Sequence, residues 1–166
     1  MHQTLFGLRE GALTLTYNLY LLARSVERRI ITPTVIGVRV LVPRTDTILL
    51  VRHRGGAYPW SLPGGAVNRY EPPAETALRE LIEEAGCPAE VRYLHGMFHS
   101  YAEGMQNSTA IFVCAPLGAI HPPVGDLEIV DARFFFITDL PTTLEPGSRR
   151  RIEEFTRGQR GLYGPW

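Results

Sequence analysis

The sequence predicts a mixed α/β layer domain, and three observations carry that prediction. Hydrophobic patterns follow the order helix, strands, helix, strands, helix, the alternation that layered α/β folds produce. The 166 residues, 45% of them hydrophobic, suffice for one domain with a substantial core. Turn signals rich in glycine and proline separate the patterned segments, and no internal repeat or low-complexity tract interrupts them.

The first element is an amphipathic helix. Leu15, Leu19, Leu22, Val26 and Ile30 recur at three- and four-residue steps, while Arg24, Glu27, Arg28 and Arg29 lie off that stripe. Its most apolar stretch, Leu13 to Ala23, is broken by Thr14, Thr16 and Asn18 and falls short of the ~18 apolar residues of a membrane span. Met1 to Glu10 sets one arginine against one glutamate, which makes a poor signal peptide. Residues 1–32 are therefore expected to form a helical extension that docks on the domain or on a second copy, so a homodimer is allowed. After Pro33 the pattern becomes that of strands, rich in β-branched residues over Val35–Val42 and Thr47–His53, with a turn at 43–46. Arg54 to Pro73 is a loop. The next helix has legible ends, with Pro72 and Pro73 suited to its first turn and Gly86 to its C-terminal cap. Val91–Tyr101 and Thr109–Ala115 are expected strands, Pro116–Asp126 a loop, Ala132–Ile137 a buried strand and Pro146–Arg157 a last helix. The division is an extension over 1–32, a domain over 33–158, and a loose tail over 159–166.

Composition removes several kinds of chemistry. Seventeen basic residues balance seventeen acidic ones, which argues against a general nucleic-acid binder. Every basic residue is arginine, so lysine Schiff bases and the lysine-bearing phosphate loop are excluded. The two cysteines, Cys87 and Cys114, form no C-x-x-C pair, and a reducing cytoplasm is the simplest compartment for them. His53, His95, His99 and His121 share no metal-ligand spacing, and Ser61 lacks the G-x-S-x-G context of a serine hydrolase.

The helix from Pro72 to Ala85 carries the chemistry. With residues ~100° apart, Ala74, Leu78, Leu81, Ile82 and Ala85 fall on one side, expected to face the core, and Glu80, Glu83 and Glu84 on roughly the other. Neighbouring carboxylates on a helix repel by ~0.2–0.5 kcal/mol per pair. Negative charge in the last turn meets the helix dipole at a further ~0.3–1 kcal/mol. Only Arg79 compensates locally. Such a triplet is often a merely solvated face, but a divalent cation would reverse the sign of its cost, and oxygen-only ligands select hard ions such as magnesium or manganese.

The surrounding residues favour the cation. Gly65, Glu71, Arg79, Glu80, Leu81, Glu83, Glu84, Gly86 and Cys87 spell G-x5-E-x7-R-E-U-x-E-E-x-G-U, with U a bulky apolar residue. This resembles the signature box of the Nudix (MutT-like) hydrolases, with Cys87 standing where the family usually has an aliphatic residue. "LLVRH…WSLPGG" before it and "DARFFFITDLP" after it extend the resemblance over roughly Pro33 to Phe155. The resemblance implies an α/β/α sandwich that hydrolyses a diphosphate linked to another group, usually a nucleoside, with Mg²⁺ or Mn²⁺. It implies that Glu80, Glu83 and Glu84 bind the metal, with the Gly64 carbonyl as a further ligand. Arg79 then orients the glutamates, Glu71 braces the loop, and Gly65 and Gly86 are structural positions of the box. The general base is Glu83 first, then Glu128, then Glu103, the last two also reading as plain surface carboxylates. Trp60 is as well suited to stacking on a base as to closing the core, and Arg52 to meeting a phosphate or a box glutamate. The substrate class stays open: an ADP-ribose subfamily would have a proline where this chain has Glu103, and Tyr101 falls slightly early for a dinucleotide one. A ligand sensor that binds a nucleotide without cleaving it, and a prenyl-diphosphate isomerase of the same fold, are the rival readings. The partner is a small nucleotide, with no stable nucleic-acid contact.

Overall fold

The computed structural model describes residues 34–102 and 105–166, so the helix expected over residues 1–32 and the candidate base Glu103 lie outside the described residues. The described residues form a mixed α/β fold of two sheets and two helices. The strands are β1 (Thr34–Leu41), β2 (Pro43–Arg44), β3 (Thr47–His53), β4 (Trp60–Ser61), β5 (Ala89–Ala102), β6 (Met105–Pro116), β7 (Ile129–Phe136) and β8 (Leu162–Pro165). The helices are α1 (Pro73–Ala85) and α2 (Pro146–Thr156). One sheet runs β1-β6-β5-β8, with β1 parallel to β6, the long β5–β6 hairpin antiparallel, and β8 parallel to β5. In the other, β3 pairs antiparallel with β7 along its length and with β2 and β4 at its two ends.

The strand β3 shows why a continuous apolar run was needed. Ile48 and Leu50 enter a core cluster with Leu41, Trp60, Leu62, Ile111 and Ile152, whereas Leu49 and Val51 enter a second with Val38, Val40, Ala77, Leu81 and Cys114. A strand covered on both faces is apolar at every position rather than at alternate ones. Helix α1 closes the cluster of Ala77 and Leu81, and α2 closes the other through Ile152. The layers are thus helix, sheets, helix, the sandwich that the resemblance implies. Cys87 and Cys114 are both free and buried in one cluster, where burial pushes the Cys114 thiol up to about 12. Cys87 packs as the small hydrophobe that its box position calls for. Among the described residues no helix is long and apolar enough to cross a membrane.

Two expectations need correction. Residues 159–166 are not a loose tail: β8 adds a parallel strand to β5, and the Trp166 amide donates to the His99 carbonyl at 2.8 Å. The Trp166 indole donates to Glu145 Oε1 at 2.6 Å and sits edge-on to Phe98, over space that Gly147 leaves open. A short run with two glycines and a proline gives no periodic signal, yet backbone pairing and one aromatic anchor suffice to order it. Trp166→Ala is expected to cost about 2 kcal/mol through lost burial and one hydrogen bond. A lowered urea midpoint checks this; an unchanged one would mean that the tail contributes nothing. The strand expected over Ala132–Ile137 is also only half-buried, since β7 lies at a sheet edge and exposes Phe136.

Candidate active site

Helix α1 begins as expected, with Pro72 extended ahead of it and Pro73 in its first turn, and it ends at Gly86. Gly86 is left-handed at φ 54°, which lets the Cys87 amide return to the Leu81 carbonyl at 3.0 Å. Its orientation differs from the wheel reading. The buried face runs through Thr76, Ala77, Glu80, Leu81, Glu84 and Ala85, while Ile82 is 51% exposed. Glu80 and Glu84, at 9% and 7% exposure, therefore point inward, and Glu83 faces solvent. The reason lies in a turn some fifteen residues upstream. Residues 63–67 run along the free edge of β1, where the Val38 and Val40 amides donate to Gly65 and Pro63. That turn presents the Gly64 amide to Glu84 Oε2 at 2.7 Å. A buried carboxylate with a backbone donor is tolerable where an unpaired one is not.

A single guanidinium organises the rest. Arg79 Nε and Nη2 donate to the two oxygens of Glu71 at 2.8 and 3.1 Å, while Nη1 donates to Glu80 at 2.8 Å and to Glu83 at 2.7 Å. Nη2 also reaches the Ala66 carbonyl at 3.3 Å. The paired fork holds the Glu71 carboxyl down to about 2 and raises Arg79 further above its ordinary value. Burial acts the other way on the inward glutamates. It raises Glu80 despite Arg79 beside it, and it pushes Glu84 up to about 7 despite the Gly64 amide. The clamp Glu71–Arg79 thus ties the loop to the helix, and the buried carboxylates are left energetically costly.

The three α1 glutamates line one cavity of about 570 Å³, whose other walls are Gly64–Ala66 and Asp126, Glu128 and Ile129. Asp126 Oδ1 accepts the Glu128 and Ile129 amides at 2.7 and 2.8 Å, and Arg54 Nε holds the Leu127 carbonyl at 2.9 Å. This turn fixes Glu128 opposite α1, with His53 Nδ1 3.6 Å from its carboxylate. Burial, and then the charge of Arg39, lower the His53 pKa, so the ring is held toward its neutral form.

The other sequence-derived candidates fall elsewhere. Trp60 is 7% exposed in the core, edge-on to Phe135 at 4.7 Å, and is not among the cavity's lining residues. Arg52 is exposed on β3 in register with Trp60 and Asp131, also outside the lining. Gly64 and Gly65 form the wall, and Glu71 and Gly86 brace α1 behind it. Two residues were missed. Asp126 carried no signal beyond the loop it sits in, but Arg39, one charge inside VIGVRVL, is conspicuous in an apolar strand.

The donor set suits a hard divalent cation. It is all oxygen, and Gly65 without a side chain is what lets Glu80 Oε1 approach, since a Cβ there would lie 2.5 Å from that oxygen. Glu71, Glu80, Glu83 and Glu84 together exceed Arg79 and Arg39 by two negative charges when all are ionised. In the arrangement described, Glu80 and Glu83 are turned to Arg79, and no three such side chains among the described residues converge at coordination distance.

A "MutT-like protein" of Streptomyces ambofaciens is 33% identical over 85 residues, covering 51% of this chain and 54% of that protein. A Mycobacterium tuberculosis H37Rv protein provisionally named 8-oxo-dGTP diphosphatase 3 is 44% identical over 62 residues, covering 32% of this chain and 28% of its own length. The chain thus spans about half, and less than a third, of these two relatives. The crystal structure of a UDP-X diphosphatase superposes with a TM-score of 0.67 at 26% identity, covering 87% of this chain and 74% of that one. The NUDIX domain profile matches residues 32–155. The chain belongs to the NUDIX domain family.

Proposed function

We propose that this chain is a divalent-metal-dependent hydrolase that cleaves the diphosphate bond of a small nucleoside diphosphate derivative, with water as nucleophile. The observation that carries the reading is one cavity in which Glu80, Glu83 and Glu84 face the Gly64–Ala66 turn on one side and Asp126–Glu128 on the other. Relatives named for nucleotide diphosphatase activity support a nucleoside as the attached group. The carboxylates of Glu80, Glu83 and Glu84 would hold Mg²⁺ or Mn²⁺, which when bound neutralises phosphate oxygens and lowers the pKa of water.

The chain's own residues supply orientation and proton transfer. Arg79 keeps Glu80 and Glu83 at fixed positions along the helix through charge-assisted bonds. Glu71, locked ionised by Arg79, secures the loop that carries Gly64 and Gly65. Glu83 is the exposed carboxylate of the three and takes the proton from the attacking water as general base. Glu128, steadied beside His53, is the second choice.

The test is a hydrolysis screen with Mg²⁺ and then Mn²⁺ over nucleoside triphosphates, oxidised nucleotides, ADP-ribose, sugar nucleotides and dinucleotides. Metal-dependent cleavage of one class is expected, and Glu83→Gln should lower its kcat by about 10²–10⁴-fold with the fold intact. Near-normal hydrolysis by Glu83→Gln would remove Glu83 as base and turn attention to Glu128. Silence from folded protein that still binds nucleotide would replace the hydrolase by a sensor.

A further inference from the structure

Strand β1 places a lone cation behind the acidic cavity. Arg39 is half-buried between the buried Val38 and Val40. Its Nη1 donates to the Gly64 carbonyl at 2.6 Å and to the Leu62 carbonyl at 3.2 Å. The amide of the same Gly64 donates to Glu84 at 2.7 Å. One glycine thus links a guanidinium to a site carboxylate, its carbonyl held by the first and its amide by the second.

The family resemblance gave that carbonyl another role, as a ligand to the metal. An oxygen already accepting a short charge-assisted bond still has a second lone pair. A divalent ion on it, however, would stand next to a fixed positive charge in a part-buried site. We propose that in this chain Arg39 takes the place of the cation at the Gly64 carbonyl. The metal is then held by side-chain carboxylates without that carbonyl. Arg39 is a positioning residue with two effects: it pins the glycine turn against Glu84, and its charge sets the affinity of the site for divalent ions. The proposal rests on the hydrolase reading only in placing a divalent ion at the α1 glutamates.

The consequence runs against the usual effect of altering a site residue. Removing Arg39 should strengthen metal binding while it weakens turnover. The experiment measures Mn²⁺ binding by calorimetry, without substrate, to metal-free wild type, Arg39→Met and Arg39→Lys. Methionine keeps much of the bulk and loses the charge, so affinity should rise about tenfold, the effect of one unit charge a few ångströms from the ion in a partly solvated site. Lysine keeps the charge but, with a shorter side chain, loses the reach of Nη1 to both carbonyls, so Mn²⁺ affinity should stay near that of wild type while kcat falls. Unchanged or weaker Mn²⁺ binding by folded Arg39→Met would overturn the proposal and leave the hydrolase reading standing.

A second measurement avoids any folding defect of the variants. Wild-type protein labelled with ¹³C at glycine carbonyls and at glutamate carboxyls is titrated with Mg²⁺. The carboxyl signals of Glu80 and Glu84 should move while the Gly64 carbonyl signal stays nearly still. Movement of Gly64 comparable to that of the carboxyls would place the ion on the carbonyl and refute the proposal. If neither Mn²⁺ nor Mg²⁺ binds wild type or Arg39→Met, the metal reading of the site fails and the proposal falls with it.

Discussion

In EDTA, Glu84→Gln is expected to be more stable than the wild type at pH 8 by about 3 kcal/mol, and equal to it below pH 4. The carboxyl is buried, and its pKa rises from an ordinary 4.5 to about 7 because burial outweighs the Gly64 amide and the charge of Arg39. Between those two values the native protein keeps a proton that the unfolded chain has released. Stability attributable to Glu84 therefore falls as pH rises through 4.5 to 7 and is flat above that window. Glutamine has no proton to lose, and its side-chain oxygen can still accept from Gly64. His53 and His95, both lowered by burial, push stability the other way over part of the range. The histidines' contribution largely cancels between the two proteins, so the difference reports the Glu84 carboxyl together with its charge coupling to Glu80 and Glu128. Paired urea denaturation at pH 4, 6 and 8 makes the comparison. Saturating Mg²⁺ or Mn²⁺ at pH 8 should raise the wild-type midpoint and leave the variant nearly unmoved. An offset that is constant across pH, or a variant that is the less stable at pH 8, would show that the carboxylate is not strained in the fold. A variant stabilised by Mg²⁺ as much as wild type would remove Glu84 from the metal site.

That strained carboxylate marks where the sequence was legible and where it was not. Local signals worked well. Prolines 72 and 73 and Gly86 bound α1 closely, because each acts through its own backbone dihedral and needs no tertiary partner. The apolar run Thr47–His53 is β3 to the residue. The spacing of the box glutamates also survived folding, since the three do line one cavity. What failed was the rotation of the helix. A wheel ranks positions by side-chain polarity and so turned Glu80 and Glu84 outward and Ile82 inward. In the fold, the donor on Gly64 and the absence of a side chain on Gly65 make room for two carboxylates on the buried face. No helical period contains that information, because it belongs to a loop that meets the helix only in three dimensions. Trp60 is a different case. Its place beside the glycine turn in sequence left stacking on a base and closing the core equally open, and the fold takes the second, since β4 pairs with β3 and the indole packs against Phe135. The ordered tail was hidden for a related reason, as β8 is stabilised by pairing with β5 rather than by its own composition.

The adjacent glycines of the turn should separate fold from site. Gly64 stands at φ 141°, a conformation that L-residues rarely adopt, and a Cβ there would overlap the Val38 carbonyl oxygen and approach the Arg39 Cα within 2.8 Å. Both obstacles are backbone of β1, which cannot yield without breaking its pairing with β6 along Val38 and Arg39. Gly64→Ala is therefore expected to destabilise by about 3 kcal/mol or more. Gly65 has no such backbone strain, and the nearest obstacle to its Cβ is the Glu80 carboxylate at 2.5 Å, the free end of a flexible side chain. Gly65→Ala should fold with a loss of only about 1 kcal/mol, since one rotamer change relieves the contact. The displaced carboxylate then no longer meets its partners, and a misplacement of that size costs about a hundredfold in turnover. Urea midpoints together with kcat and Mn²⁺ affinity for the two variants test the contrast. If Gly65→Ala keeps wild-type Mn²⁺ affinity and turnover, Glu80 does not need its present approach to the turn. If Gly64→Ala is as stable as wild type, β1 has a freedom that the close packing of Val38 against the turn excludes. The expected pairing, an unstable protein from one alanine and a stable inactive one from its neighbour, would locate the role of Gly65 in the carboxylate rather than in the backbone.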